Sequence, residues 1–118
     1  MAVHNQLGRQ GEEMARAYLV KHGYEILYQN WRYSHYEIDI VAIKKGILHI
    51  VEVKIRSSQA FGYPEESVTR KKFKALLKAA DEFLFQNQQY RHVQYDILSI
   101  TTNKSAPPDY FLIEDVYL

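Results

Sequence analysis

The chain has 118 residues, a formal net charge of +1 and no cysteine. Without cysteine, disulfide frameworks and thiolate metal sites are excluded, and the near-neutral charge argues against a simple basic protein that coats nucleic acid. No apolar run approaches the length of a membrane span and residues 1–22 are too polar for a signal sequence, so we expect a cytoplasmic protein without membrane association, folded as a single domain over residues 1–118.

The first predicted elements are a helix and a short strand. Residues 5–22 are predicted as a helix that ends before Gly23, because glycine is favoured at left-handed helix caps. A strand follows over residues 24–29. Residues 30–36 are predicted as a loop.

The stretch EIDIVAIKKGILHIVEVK, from Glu37 to Lys54, is typical of two apolar strands joined by a turn at Lys45–Gly46. With a two-residue turn, Asp39 lies directly opposite Glu52, and Glu37 lies opposite Lys54. Side chains alternate between the two faces of a sheet, so these four charged groups share one face. The hairpin is thus apolar near its turn and charged at its far end.

Charge inside an apolar hairpin needs an explanation. Opposed carboxylates with Cβ atoms about 5 Å apart repel each other unless a cation lies between them. Asp39 and Glu52 therefore predict a site for Mg²⁺ or Mn²⁺, and the carbonyl oxygen of Val53 is a candidate third ligand. The alternative is a salt-bridged hairpin end in which Lys54 neutralises Glu37 or Glu52. The residues alone leave both interpretations open.

The second half of the chain predicts one helix and two strands. Residues 56–66 are predicted as a loop, and a helix follows from a cap at Thr69 to about Gln86. Its apolar spacing predicts one buried stripe, formed by Phe73, Leu76, Leu77, Ala80 and Leu84. Residues 93–101 and 110–118 are predicted as strands, with a turn-rich segment between them. A strand, a helix and a strand in this order imply a right-handed parallel crossover. The predicted fold class is α/β, a mixed β-sheet flanked by helices in the order α-β-β-β-α-β-β.

Small residues of the first helix predict a close contact with the sheet. At 100° per residue, Gly8, Gly11 and Ala15 fall in one sector together with Glu12, whereas Glu13 points to the opposite side. This face would carry the carboxylate of Glu12 inward. The alternative is a half-buried Glu12 at the rim of the helix.

Basic side chains near the far end of the hairpin and at the start of the second helix are predicted to contact nucleic acid: Arg32, Arg56, Arg70, Lys71, Lys72 and Lys74. Cations at a helix N-terminus oppose the helix dipole, which favours a phosphate-facing role over an ordinary solvated helix start. The histidines show no paired metal-ligand spacing. We expect His49, which points away from Glu52, to face the core or a partner.

Short motifs follow one another along nearly the whole chain: GRxGE at 8–12, GYxIL at 23–27, NWR at 30–32, EID at 37–39, VEVKxR at 51–56, FG at 61–62, VT at 68–69 and YD at 95–96. In this order they resemble the bacterial YraN family of endonuclease-like proteins. That family lies within the restriction-endonuclease-like superfamily, which includes archaeal Holliday junction resolvases. One departure is Tyr36, where the family often has glycine before EID.

The resemblance implies a restriction-endonuclease-like core and metal-dependent hydrolysis of phosphodiester bonds in DNA, with branched or junction DNA among the candidate substrates. It also implies that Asp39 and Glu52 bind the metal and that Lys54 serves the attacking water or the phosphate. Glu12 matches the acid on the N-terminal helix of the resolvase-like branch. A homodimer of this chain is a candidate assembly.

A second interpretation is a non-catalytic module that keeps the nuclease fold and binds nucleic acid or protein through its sheet edge or basic helix. The intact set of Asp39, Glu52 and Lys54 favours the enzyme, because a binding module has no need of paired carboxylates beside a lysine. Cleavage of a nucleic acid discriminates between the two interpretations.

Overall fold

The computed structural model describes residues 2–57 and 70–116, with side chains described from residue 9 onward. Within these residues the elements follow in the order α1 (Ala2–Lys21), β1 (Glu25–Tyr33), β2 (Tyr36–Lys44), β3 (Ile47–Ser57), α2 (Arg70–Gln86), β4 (Val93–Asn103) and β5 (Ala106–Ile113). The predicted α/β class and the predicted order of elements are confirmed. The arrangement is consistent with a restriction-endonuclease-like core.

The five strands form one mixed sheet in the order β1-β2-β3-β4-β5. Only β3 and β4 run parallel, because α2 forms the crossover between them. Each helix covers one face of the sheet, and the two faces carry separate apolar clusters. The α2 face includes Val41, Leu48, Ile50, Phe73, Phe83 and Ile97, and the α1 face includes Ala15, Leu19, Ile40, Val51, Leu98 and Ile100.

Helix α2 buries the stripe that its apolar spacing predicts. Phe73, Leu76 and Ala80 are buried against the sheet, and the helix ends at Gln86 as expected. Phe83, which the predicted stripe omitted, is fully buried and meets the rings of β1 edge-on. The predicted loop began at Arg56, which is wrong because β3 continues to Ser57. The rest of that loop and the Thr69 cap lie outside the described residues. Neither described helix combines the length and the apolar character needed to cross a membrane.

Helix α1 ends in the predicted way and packs closely on β3. Gly23 adopts a φ of 92°, and the N–H of Tyr24 donates to the carbonyl of Leu19 at 2.9 Å, which closes the last turn. A Cβ atom added to Gly11 would lie 3.2 Å from Cγ2 of Ile55, so only a glycine allows this approach without displacement of its neighbour. The predicted close contact between the small-residue face and the sheet is therefore present at Gly11.

The predicted loop over residues 30–36 is wrong. Strand β1 continues to Tyr33, and a two-residue turn leads directly into β2. The turn-favouring residues each supply one left-handed conformation, Asn30 (φ 54°) within the strand and Ser34 (φ 57°) in the turn. Trp31 stays in the ladder opposite Ile38, because its side chain packs against the α2 cluster.

The predicted boundary between the last two strands is also wrong. Residues 102–109 were expected as a turn, but β4 extends to Asn103 and β5 begins at Ala106, leaving a two-residue turn. The Asn103 side chain stabilises this turn by accepting the N–H of Ser105 at 3.0 Å. The prolines at 107 and 108 are compatible with β5 because it is an edge strand, where a missing N–H is tolerated. The strand ends at Ile113 rather than at residue 118.

Candidate active site

The hairpin of β2 and β3 has the predicted register near its turn. Lys45 and Gly46 both have positive φ, as the tightest hairpin turn requires, and the ladder pairs Lys44 with Ile47 through to Ile40 with Val51. The paired ladder ends there. Beyond it the described residues of β2 and β3 have no paired partners in each other, and the charged residues lie on these unpaired segments.

Asp39 is the first β2 residue beyond the ladder. Its Oδ2 accepts the backbone N–H of Val53 at 2.8 Å, so a side chain replaces the backbone acceptor at this point. The bond uses one of the two carboxylate oxygens and holds Asp39 against β3. The side-chain bond of Asp39 thus links the two strands at the residue where their backbone ladder stops.

A cavity of about 220 Å³ lies where the β2–β3 ladder ends, lined by Gly11, Glu12, Asp39, Glu52, Val53, Lys54 and Ile55. The structure thus brings together the carboxylates, the lysine and the backbone segment that were predicted as the site. Glu12 arrives from α1, and the others come from the hairpin. The close packing of Gly11 on β3 allows Glu12 to reach the cavity.

The ion pairs differ from the predicted cross-strand pair. Asp39 was predicted directly opposite Glu52, and Glu37 opposite Lys54, but neither is a ladder pair because the β2–β3 ladder ends at Ile40–Val51. Asp39 and Glu52 nevertheless line the same cavity. Glu37 is instead paired with Arg32 of β1, with Nη2 and Oε2 3.4 Å apart. Lys54 Nζ lies 3.4 Å from Oε1 of Glu52. The salt bridge of the alternative interpretation is therefore present at Glu52, within the same cavity as Asp39.

Asp39 is electrostatically the most perturbed group of the cavity. Burial, and next the negative charge of Glu52, raise the pKa of Asp39 from 3.8 to about 8. The bond from the Val53 N–H and the charge of Lys54 act in the opposite direction, but they do not compensate for burial. A carboxylate held in this way favours its protonated form until a cation enters.

Helix α2 brings a second cation to the cavity edge. Lys72 and Lys54 are close enough to hydrogen-bond, and the positive charge of Lys54 is the main cause of a lowered pKa at Lys72. The two lysine side chains at the cavity edge are suited to contact a phosphate group. Lys72 was predicted as a DNA contact, and the structure places it next to the candidate catalytic lysine.

Asn30 is a site residue that sequence reasoning missed. Its Nδ2 donates to Oε2 of Glu12 at 2.9 Å, so β1 holds the carboxylate that α1 carries inward. Glu12 is half-buried, as in the alternative interpretation, although it also lines the cavity, and Glu13 is exposed as predicted. The available signal was the residue type, since asparagine tolerates the left-handed conformation that aims its amide out of the strand.

The donor set fits a hard divalent cation. Mg²⁺ keeps several water ligands and needs only one or two protein carboxylates, and Asp39 and Glu52 supply these beside the backbone of Val53. Among the described residues, no three carboxylate or imidazole groups converge as a complete metal cage. The cavity therefore fits a hydrated ion held by two carboxylates better than a fully protein-coordinated one.

Apart from Lys72, the predicted basic residues lie on three elements, α2, β3 and the β1–β2 hairpin. Lys71 and Lys74 line a second, larger cavity between α2 and the β1–β2 hairpin. Arg32 is exposed and paired with Glu37 on the hairpin. Arg56 is half-buried on β3, and Arg70 is exposed at the first residue of α2.

His49 belongs to the core rather than to the site, as expected. It is 5% exposed, and its Nδ1 lies 2.7 Å from Oδ2 of Asp96, which is itself fully buried. The other oxygen of Asp96 accepts the side-chain N–H of Gln94 and the backbone N–H of Asp115. The Asp96 carboxylate thus joins β3, β4 and the segment after β5, which satisfies these buried polar groups.

Comparison with known proteins agrees with the motif order. A family model described as "Uncharacterised protein family UPF0102" matches residues 11–100. A UPF0102 protein of Parabacteroides distasonis is 41% identical over 116 residues, which cover 98% of this chain and 93% of the relative. A UPF0102 protein of Bacteroides thetaiotaomicron is 48% identical over 100 residues, which cover 85% of this chain and 83% of the relative. The chain therefore belongs to the uncharacterised protein family UPF0102, the YraN family that its motifs resemble.

Proposed function

We propose that this protein is a metal-dependent nuclease that hydrolyses phosphodiester bonds in DNA at the cavity formed by Glu12, Asp39, Glu52 and Lys54. One observation carries the proposal: two carboxylates and a lysine line one cavity where the β2–β3 ladder ends, and desolvation and the charge of Glu52 raise the pKa of the half-buried Asp39. Paired acids of this kind are typical of sites that are completed by a cation.

The residues have distinct roles in the proposed reaction. Asp39 and Glu52, with the Val53 carbonyl, would hold Mg²⁺ or Mn²⁺. When bound, such an ion polarises a phosphoryl oxygen and makes a water molecule more acidic. Lys54 accepts a proton from the attacking water or stabilises the charge of the phosphate.

Glu12 and the surrounding cations complete the proposed site. The carboxylate of Glu12, oriented by Asn30, can position the attacking water or a metal-bound ligand through a hydrogen bond. The DNA backbone would be bound by the predicted basic residues, of which Lys72 lies beside Lys54 and Lys71 and Lys74 line the second cavity. The full set is Arg32, Arg56, Arg70, Lys71, Lys72 and Lys74. Their contribution should weaken with salt, since phosphate contacts release counterions.

A cleavage assay tests this function. The purified protein is incubated with labelled single-stranded, duplex and four-way-junction DNA, and with RNA, in Mg²⁺, in Mn²⁺ or in EDTA. We expect metal-dependent cleavage of at least one DNA substrate. Asp39→Asn, which keeps the side-chain shape but cannot ionise, should abolish it. Cleavage that persists in Asp39→Asn would place the nuclease elsewhere, and a wild-type protein that binds DNA but cuts nothing would favour the non-catalytic binding module.

The role of Asn30 can be separated from its backbone strain. Asn30→Gly retains the left-handed conformation and removes the amide donor to Glu12, so we expect cleavage to fall about tenfold with little loss of stability. Asn30→Ala should lose the same activity and, in addition, about 1–2 kcal/mol of unfolding free energy. Urea unfolding and cleavage rates are measured on both variants. If Asn30→Gly cleaves like the wild type while Glu12→Gln is slow, Asn30 does not position Glu12.

A further inference from the structure

A second cavity, of about 610 Å³, lies between the β1–β2 hairpin and α2. We call it the hairpin–α2 cleft; the side chains that give it its chemistry are His35, Tyr36, Glu37, Lys71, Lys74 and Lys78. Its volume falls in the range of about 300–1,000 Å³ that is typical of ligand pockets. The cleft is distinct from the candidate active site, although Glu37 on its wall is only two residues from Asp39 along β2.

The α2 wall of the cleft is positively charged. Lys71, Lys74 and Lys78 follow the i, i+3, i+7 spacing that places side chains on one helix face, and all three are exposed. Among the described lining residues they are opposed by the carboxylate of Glu37, which is already engaged by Arg32 at 3.4 Å. Like charges at this spacing destabilise an isolated helix, so the row is suited to an anionic ligand.

The hairpin wall is aromatic. The rings of His35 and Tyr36 lie 4.1 Å apart with a tilt of 37°, and Nζ of Lys78 lies 5.7 Å from the centre of the Tyr36 ring. Tyr36 is half-buried and packs against the α2 cluster, which holds its ring in place. The cleft therefore combines a fixed aromatic surface with ammonium groups at short range.

A nucleotide has both complementary parts, a flat π face and an anionic phosphate. An acidic peptide would use the lysines but not the aromatic wall, and a blunt duplex keeps its bases stacked inside the helix. Aromatic stacking with phosphate contacts is the usual way to bind an unpaired strand. The combination of the two walls thus favours a single strand over either alternative.

We propose that the hairpin–α2 cleft binds an unpaired nucleotide of a DNA strand, with its base on the His35–Tyr36 pair and its phosphates on the α2 lysines. This inference rests on the proposed nuclease function and specifies its substrate class. The preferred DNA carries an unpaired segment beside the phosphate that is cut, as in a single strand, a flap or an open branch.

Binding measured in EDTA tests the cleft without cleavage. Fluorescence anisotropy is recorded with a labelled strand of about 16 nucleotides, with the blunt duplex of the same sequence, and with the corresponding RNA strand. We expect the single strand to bind at least about fivefold more tightly than the duplex. Tyr36→Leu should weaken single-strand binding by about 5- to 100-fold and change duplex binding less than about twofold, whereas Tyr36→Phe should bind like the wild type. An RNA strand that binds as tightly as DNA would assign the cleft to unpaired strands of either sugar.

Matched controls address nonspecific effects. Phe111→Leu removes an exposed aromatic ring from β5, the opposite edge of the sheet, and should leave single-strand affinity unchanged. Changing Lys74 and Lys78 together to alanine should reduce the salt slope of single-strand binding by about 0.7 for each lost phosphate contact. Lys104→Ala, in the β4–β5 turn, should not. If Tyr36→Leu does not fold, the Lys74/Lys78 double variant still tests whether the cleft binds the strand. Both lysines are exposed, so their replacement should leave the fold intact.

Three results would overturn the inference. They are equal affinity of the wild type for strand and duplex, unchanged affinity of a folded Tyr36→Leu, and displacement by polyglutamate that depends on the lysines but not on Tyr36. The nuclease proposal fails separately. If strand binding depends on Tyr36 but no DNA is cut in Mg²⁺ or Mn²⁺, the result supports the binding cleft and contradicts the nuclease proposal. If DNA is cut but Tyr36→Leu binds the strand normally, the result supports the nuclease proposal and contradicts the binding cleft.

Discussion

Replacing Lys54 by alanine is expected to slow DNA cleavage by about 100-fold or more, the usual contribution of a general acid–base group. Both carboxylates remain in the cavity, so DNA binding should change by no more than a few-fold. The variant does remove the partner that lies 3.4 Å from Glu52, and a melting curve must therefore show that it is folded. Single-turnover cleavage and anisotropy on the same substrate give the two quantities.

Two further variants define the role of Lys54. Lys54→Arg keeps a positive charge but cannot give up its proton, so it should restore most of the rate if Lys54 stabilises phosphate charge, and none if Lys54 is the base. Lys104→Ala removes an exposed lysine from the β4–β5 turn and serves as the control. A Lys54→Ala protein that cuts as fast as the wild type would mean that the observed nuclease is a contaminant or lies elsewhere.

The raised pKa of Asp39 predicts an unusual dependence of stability on pH. In the metal-free protein this carboxyl has a pKa of about 8 when folded against 3.8 as the ordinary value, because it is buried and lies near Glu52. Its contribution to stability is fully present below pH 4 and is lost as pH rises through 8, since the folded state binds the extra proton. Across that interval the free energy of unfolding should fall by up to about 1.4 kcal/mol per pH unit.

Metal binding should show the complementary behaviour. A cation requires the ionised carboxylate, so the apparent affinity for Mn²⁺ should improve by up to about tenfold per pH unit until pH 8 and then level off. Millimolar Mg²⁺ or Mn²⁺ should also raise the melting temperature of the wild type. Urea unfolding in EDTA and Mn²⁺ titrations between pH 5 and 9 measure both effects.

Asp39→Asn should remove both the fall in stability with rising pH and the stabilisation by metal, because its amide does not titrate. Glu13→Gln removes one carboxylate from the exposed side of α1 and controls for the change in net charge. A difference between wild type and Asp39→Asn that does not vary with pH would contradict the buried-carboxylate description. A melting temperature that does not change over a wide range of Mn²⁺ concentrations would argue against a site formed before substrate binds.

The local signals in this sequence were sufficient for the element order and for the hairpin. The Lys45–Gly46 turn set the register that places Asp39 near Glu52, because turn geometry and side-chain alternation are properties of neighbouring residues. The same holds for α2, whose buried stripe follows from its spacing. The predicted loop at 30–36 and the predicted turn at 102–109 are wrong because they contain residues that favour turns, Asn30 and the prolines at 107 and 108. Such residues also occur within strands, where an edge position or a single left-handed residue accommodates them.

By itself, then, the sequence determined the α/β class, the order of elements and the charged hairpin end, since these depend on periodicity and turn chemistry within a few residues. Only the tertiary structure decided that the ladder ends at Ile40–Val51, that Asn30 holds Glu12, and that Tyr36 faces the lysines of α2. The contacts of Asn30 and of Tyr36 join elements that are separated in the chain. The competition of Asp39 for a backbone N–H is set by the assembled core, and no local pattern encodes it.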